Sequence, residues 1–179
     1  MGYFKTRGLR GSTFEEMINL TNEVYLKKNL AIIQKIPTPI TPVNMDKSKN
    51  TITLAYFEKK STVDYIGAVQ GIPICFDAKE TNRKSLPMQN IHSHQIEFME
   101  NFEKQKGIAF FLVNFTLYDR IFYLPFRELK FYWDTAVKGG RKSIPYEAFH
   151  EDFIIQNKNG AYVHYLEGIN RDIIIKEGL

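Results

Sequence analysis

The stretch STVDYIGAVQGIPICFDAKET, residues 61–81, decides the fold. Two runs rich in β-branched and aromatic residues flank Gln70-Gly71, which reads as an antiparallel hairpin with a two-residue turn and strands near 62–69 and 72–79. Such a turn pairs residues whose numbers sum to 141, so Asp64 is expected opposite Asp77, and Thr62 opposite Lys79. Directly opposed side chains have Cβ atoms roughly 4.5 to 5.5 Å apart, and like charges at that spacing repel. A divalent cation with hard oxygen ligands offsets the repulsion, and Mg²⁺ characteristically takes one or two protein carboxylates while keeping waters and phosphate oxygens.

Side chains alternate along a strand, so Asp77 and Lys79 project with Thr62 and Asp64 on one face. Ile72, Ile74, Phe76 and Ala78, with Tyr65 and Val69, take the core face, and Val63 is expected there too. An ammonium beside two carboxylates and a metal can orient a water and offset charge on a phosphorus oxygen, the pattern of metal-dependent phosphodiester hydrolysis. The acid-x-Lys tripeptide alone is weak, because about two are expected by chance in a chain this rich in acids and lysines. Three occur: Glu58-Lys59-Lys60, Asp77-Ala78-Lys79 and Glu128-Leu129-Lys130. Asp77-Ala78-Lys79 is the one that ends an apolar strand with an acid opposite.

Working outward, Ser12 or Thr13 can cap a helix reaching about Leu26, with Glu15 and Glu16 in its first turn and Phe14, Ile18, Thr21 and Tyr25 on one face. A short strand, LAIIQKI, follows. Residues 36–60 then carry prolines at 37, 39 and 42, which exclude a helix or a central strand. The DKSKN turn at 46–50 lies between extended PVNM and TITLAYF, so this segment reads as a projecting ribbon with Lys47 and Lys49 near its tip. Downstream, a helix is expected over Gln89–Gln105, then strands IAFFLVNF and RIFYLPF, a helix FRELKFYWDTAVK before Gly139-Gly140, and a terminal helix near 162–175. His92 and His94, two apart on a helix, are expected to point in different directions. The whole predicts a mixed α/β sheet flanked by helices in one domain, 1–179.

The chain has 179 residues, 44% of them hydrophobic, with 14 Phe and 10 Tyr, enough bulk for a sizeable core. The lone Cys75 sits in an apolar run, which excludes a disulfide framework and a Cys-based zinc site. No run approaches 18 apolar residues and the first twenty lack an apolar signal core, so a cytoplasmic protein with no membrane partner is expected. A formal charge of +4 permits a polyanionic partner, for which Arg10, Lys47, Lys49, Lys59, Lys60, Lys138, Arg141 and Lys142 are candidate phosphate contacts.

Asp64, twelve intervening residues and Asp77-Ala78-Lys79 resemble the PD-(D/E)XK nuclease superfamily. R-G-S-T-F-E-E-M-I-N from Arg10, K-I-P-T-P-I, A-Y-F, F-D-A-K-E-T-N-R-K-S and P-M-Q-N-I-H-S-H-Q-I-E follow in an order and spacing that resemble the RecU family of bacterial Holliday junction resolvases. The resemblance implies a restriction-endonuclease-like fold with a Pro-rich stalk at about 36–60. It implies a metal site at Thr62, Asp64, Asp77 and Gln95, catalysis by Asp64, Asp77 and Lys79, and a first-helix acid at Glu15. It further implies Mg²⁺, with Mn²⁺ able to substitute, and a nucleoid-associated homodimer that cuts branched DNA symmetrically, with a recombinase or branch-migration helicase as further partner. Asp77 departs from the family's usual Glu by one methylene, so a catalytically weakened junction-binding or recombinase-modulating protein is an alternative, as is a nuclease of the same superfamily acting on linear duplex.

Overall fold

The structure is a computed structural model and describes residues 10–57 and 62–178. Helix α1 (Arg10–Lys27) leads into β1 (Ala31–Lys35), then a ribbon of β2 (Ile40–Asp46) and β3 (Thr51–Phe57), then the hairpin β4 (Tyr65–Val69) and β5 (Ile72–Thr81). Strand β6 (Ser85–Pro87) precedes α2 (Ser93–Lys104), β7 (Ile108–Phe115), β8 (Arg120–Pro125) and α3 (Phe126–Val137). Strand β9 (Ser143–Pro145), β10 (Ile154–Ile155) and α4 (Leu166–Glu177) close the chain. The central sheet has the order β1-β4-β5-β7-β8-β10 and is mixed: β5 and β7 run parallel, and the other neighbours antiparallel. The expected architecture, a mixed sheet flanked by helices, is the one observed.

Both faces of the sheet are covered. Phe14, Ile18 and Tyr25 of α1 and Ile169 of α4 pack with Ile74 and Phe76 on one face, while Ile96 and Met99 of α2 and Phe126 and Leu129 of α3 pack with Cys75 and Phe111 on the other. An aromatic row crosses the first face: ring centroids are 4.6 Å apart for Tyr65–Phe76, 4.8 Å for Phe76–Phe110, 4.4 Å for Phe110–Tyr123 and 5.5 Å for Tyr123–Phe153. Such pairs contribute about 0.5–1.5 kcal/mol each beyond simple burial. Between β1 and β4 there is no room for a side chain at Gly67, where an added Cβ would lie 2.1 Å from the Ile32 carbonyl oxygen. At the far end, buried Asp172 of α4 accepts from the Tyr123 hydroxyl at 3.0 Å and pairs with Arg127, which ties α4 to the sheet and α3.

The ribbon forms as expected. β2 and β3 pair antiparallel from Ile40↔Phe57 to Asp46↔Thr51, and Pro42 is accommodated because the ribbon has only edge strands and its register shifts beside that residue. The Asp46 carboxylate caps the tip turn by accepting from Ser48 N at 3.0 Å and Lys49 N at 3.3 Å. Residues 58–61, including Lys59 and Lys60, lie outside the described residues, as do 1–9 and the side chain of Arg10.

Several boundaries differ from the sequence reading. Helix α1 has already begun at Arg10, so Glu15 and Glu16 fall in its second turn rather than its first. The expected helix from Gln89 is split: Met88–Asn90 form a separate 3₁₀ turn, and α2 starts only after His92, whose extended backbone makes it the N-cap. The rings of His92 and His94 therefore meet, stacked at 5.4 Å, because one of the pair is not helical. The terminal helix begins at Leu166, not near 162, after an irregular stretch that packs Val163 and Tyr165 into the core. Among the described residues no helix is long and apolar enough to cross a membrane.

Phe110 is fully buried at the middle of the aromatic row. Phe110→Ala is expected to lower unfolding stability in urea by about 3–5 kcal/mol. A loss below about 1 kcal/mol would show that the row is not what holds this face.

Candidate active site

The hairpin that positions the site is built as its sequence dictates. Gln70 and Gly71 both take positive φ, 48° and 87°, the pair of left-handed residues that a type I′ turn needs and that suits the twist of adjoining strands. The register that follows is Tyr65↔Phe76, Ile66↔Cys75, Gly67↔Ile74, Ala68↔Pro73 and Val69↔Ile72, every pair summing to 141. The ladder stops at Tyr65. The backbone before it turns away and the Asp64 carbonyl instead accepts from Ile36 N at 2.8 Å, so Thr62 and Asp64 lie outside the strand and neither expected ladder pair, Asp64 with Asp77 or Thr62 with Lys79, forms. For the same reason Val63 enters the core on the α2 side rather than the Tyr65 side.

Asp64 still reaches Asp77. The Asp64 N–H donates to Asp77 Oδ1 at 3.2 Å, and the N–H of Ala78, the residue after Asp77, donates to Asp64 Oδ2 at 3.0 Å. Each carboxylate is thus held by the backbone beside the other. Asp77 is fully buried, and its Oδ2 also accepts from Gln95 Nε2 at 3.0 Å and pairs with the Lys79 ammonium. Lys79 lies 6.0 Å from the centroid of the Phe111 ring, on the strand beside it, near the outer limit for a cation–π contact.

Gln95 stands where it does because of how α2 starts. As the third residue after the N-cap it completes a capping box with His92, its Oε1 accepting from His92 N at 3.0 Å. That bond fixes the amide and aims its nitrogen at Asp77. An isolated helical Gln reads from sequence as a solvated side chain, yet this one is buried.

Glu15 is close by but separately engaged. It pairs with Lys35 of β1, and its backbone carbonyl accepts at 3.4 Å from the Tyr65 hydroxyl, which also donates to Asn19 Oδ1 at 3.0 Å. Burial and the charges of Glu15, Asp64 and Asp77 push the Tyr65 phenol up. Tyr65 at this edge of the site is a residue that sequence reasoning assigns only to the core, since strand alternation carries no sign of a polar role for its hydroxyl.

Lys47 and Lys49 are exposed at the ribbon tip, and Lys138, Arg141 and Lys142 are exposed where α3 gives way to β9. Neither group touches the Asp64–Asp77 pair.

The two adjacent carboxylates present oxygen and fit a hard divalent cation, whereas Gln95, expected as a further ligand, turns its amide nitrogen to Asp77 and keeps its oxygen on His92 N. Among the described residues no cluster of three or more His, Cys, Asp or Glu is placed to hold a metal ion. Burial, first, and the neighbouring Asp77 charge push the Asp64 carboxyl up from its ordinary 3.8 to about 7.

Comparison with known proteins shows the family. The model of the RecU family, Recombination protein U, matches residues 9–171. The Holliday junction resolvase RecU of Oceanobacillus iheyensis is 46% identical over 167 residues, covering 90% of this chain and 85% of that one. Its namesake in Pediococcus pentosaceus is 41% identical over 171 residues, covering 93% and 85%, and that of Lactococcus lactis subsp. lactis is 43% identical over 178 residues, covering 93% and 82%. A mixed α/β sheet carrying an acid pair and a lysine on one hairpin is the framework, and the chain belongs to the RecU family.

Because the Asp64 pKa is raised in the folded chain, its protonation favours folding. That contribution is full below about pH 4 and lost as pH rises through about 7. In EDTA at pH 8, Asp64→Asn is therefore expected to raise the melting temperature, with the advantage vanishing toward pH 4. A variant less stable than the parent at pH 8 would contradict the burial and charge crowding of Asp64 at this site.

Proposed function

We propose that the protein is a structure-selective endodeoxyribonuclease that resolves four-way DNA junctions by paired, symmetric phosphodiester hydrolysis. The single observation that carries this reading is the buried Asp77 carboxylate shared by Asp64, Gln95 and Lys79 at the end of one hairpin. Membership of a family whose curated relatives are named Holliday junction resolvases supports the choice of substrate.

In this reading Asp64 and Asp77, with Gln95 and Thr62 beside them, hold Mg²⁺ or Mn²⁺. The bound ion supplies Lewis-acid polarisation of the phosphate and lowers the pKa of a water. Lys79, kept partly out of solvent between Asp77 and Phe111, orients the attacking water and offsets charge developing on the phosphorus oxygens. Asp77 itself is held from both sides, by the Asp64 N–H and by the Gln95 amide, so its carboxylate is oriented before substrate arrives. In-line attack leaves 5′-phosphate and 3′-hydroxyl ends. The Asp in place of the family's usual Glu retracts the carboxylate by one methylene, and Gln95 meets it there at 3.0 Å.

The chain forms one nuclease domain with the β2–β3 ribbon as a stalk, and acts as a twofold homodimer that presents two sites to strands of opposed polarity. Lys47 and Lys49 at the ribbon tip meet backbone phosphates near the branch, and Arg10, Lys59, Lys60, Lys138, Arg141 and Lys142 extend the phosphate-contacting surface. The setting is the cytoplasm, on the nucleoid, alongside a recombinase or branch-migration helicase.

The test places an immobile four-way junction and a matching linear duplex with the protein in Mg²⁺ and in EDTA. Paired symmetric nicks on the junction in Mg²⁺ are expected, falling at least about 100-fold in Lys79→Ala. Junction binding without cleavage in either Mg²⁺ or Mn²⁺ would overturn the enzymatic reading, and equal cleavage of the duplex would overturn the junction selectivity. In a salt titration of junction affinity, Lys47→Ala is expected to reduce the slope of log affinity against log salt by about one unit, and an unchanged slope would remove the ribbon tip from the interface.

A further inference from the structure

Strand β5 carries Asp77 and Lys79 and ends two residues later at Thr81, about 7 Å further along. Two adjoining troughs open there. The nearer, of about 570 Å³, is lined by Glu80, Thr81, Asn82, Arg83 and Gln89 among others. The farther, of about 560 Å³, is lined by Arg83, Gln89, Trp133, Val137 and Lys142 among others. Arg83, Pro87 and Gln89 line both, so the two form one continuous groove leading away from the acid pair.

The groove has a rigid floor. β6 and β9 pair as Ser85↔Pro145, Leu86↔Ile144 and Pro87↔Ser143, and the buried side chains of Leu86 and Ile144 anchor this small sheet in the core on the α2 side. Met88 N donates to the Lys142 carbonyl at 3.0 Å and Tyr146 N to the Lys84 carbonyl at 3.0 Å, so the loop bearing Arg83 and the segment bearing Lys142 are stitched together.

Its chemistry is basic and aromatic. Neither Arg83 nor Lys142 has an ion-pair partner among the described residues. The one acid in the lining, Glu80, accepts from Asn114 Nδ2 at 2.9 Å. Trp133 packs in part against the core, and its remaining surface lines the groove. Bases inside a duplex are covered on both faces by their neighbours, so an indole in a cationic groove suits a base that has left the stack. The volume falls within the range of sites that enclose small-molecule-sized groups.

We propose that this groove holds one nucleotide of the DNA strand adjacent to the scissile phosphate, its phosphate between Arg83 and Lys142 and its unstacked base on Trp133. The assignment rests on the nuclease reading of the Asp64–Asp77 site and adds to it a feature that favours branched over continuous duplex DNA, because a branch point is where bases leave one stack for another.

Trp133 is the sole tryptophan of the chain, so its emission reports this groove alone. The full-length protein is titrated with oligothymidylate in EDTA at low salt, and in parallel assayed for junction cleavage in Mg²⁺. Saturable quenching is expected, with the dissociation constant raised about tenfold in Arg83→Ala and in Lys142→Ala. Trp133→Phe, which keeps an aromatic face, is expected to bind within about threefold of the parent by anisotropy of labelled oligonucleotide, and Trp133→Ala about tenfold more weakly. Junction cleavage by a protein whose tryptophan emission oligothymidylate leaves unchanged, or quenching that persists unaltered in Arg83→Ala and Lys142→Ala, overturns the groove and leaves the nuclease reading standing. Quenching with the expected variant effects in a protein that cuts no junction supports the groove and overturns the nuclease reading.

Discussion

Two like charges brought together at a strand end are the constraint on which this molecule depends. The Gln70-Gly71 turn fixes a register that holds as far as Tyr65 and Phe76, and just beyond it the backbone amides of Asp64 and Ala78 bind the two carboxylates crosswise. A carboxylate pair at this separation is unfavourable unless something positive answers it. Lys79 does so in part from the same strand, and burial first, then the neighbouring Asp77 charge, pushes the Asp64 carboxyl up to about 7. A divalent cation bound between the two carboxylates would remove that repulsion.

What keeps the pair in place is the sheet behind it. With helices on both faces, β5 is a central strand, buried on its α1 and α4 side by the aromatic row and on its α2 and α3 side by Cys75, Phe111 and their neighbours. Asp77 sits on the second side with no exposure, in surroundings of low polarity where each hydrogen bond and ion pair is stronger than in water. The helix that covers it supplies Gln95 through its capping box, so the start of α2 and the orientation of Asp77 are one structural unit. The surface extends this scheme outward: a basic ribbon tip on one element, and a basic aromatic groove leading from the end of β5.

Much of this was legible in the sequence because it is local. The hairpin, its turn and its register come from residues within a few positions of Gln70-Gly71, and the ribbon announces itself through prolines and a DKSKN turn. What failed was what depends on distant partners. The loss of the ladder before Tyr65, which displaces Thr62 and Val63, follows from the Asp64 carbonyl bonding to Ile36, and no spacing rule near the hairpin contains that bond. The late start of α2 turns on His92 acting as an N-cap, a role Ser, Thr, Asp and Asn usually fill. Resemblance pointed to Gln95 as a site residue, but only the fold shows it buried with its amide nitrogen on Asp77. Arg83 and Trp133 sit fifty residues apart, and their shared groove is visible only after β6 and β9 pair.

Burial and charge crowding at the Asp64–Asp77 pair are what a bound divalent cation would relieve. Carbon-detected NMR titration of the Asp64 carboxyl, in EDTA and then in saturating Mg²⁺, tests this most directly. A midpoint near 7 is expected without metal, and one well below the ordinary carboxylate range with it. An Asp64 that titrates near 4 in EDTA and does not respond to Mg²⁺ would contradict it.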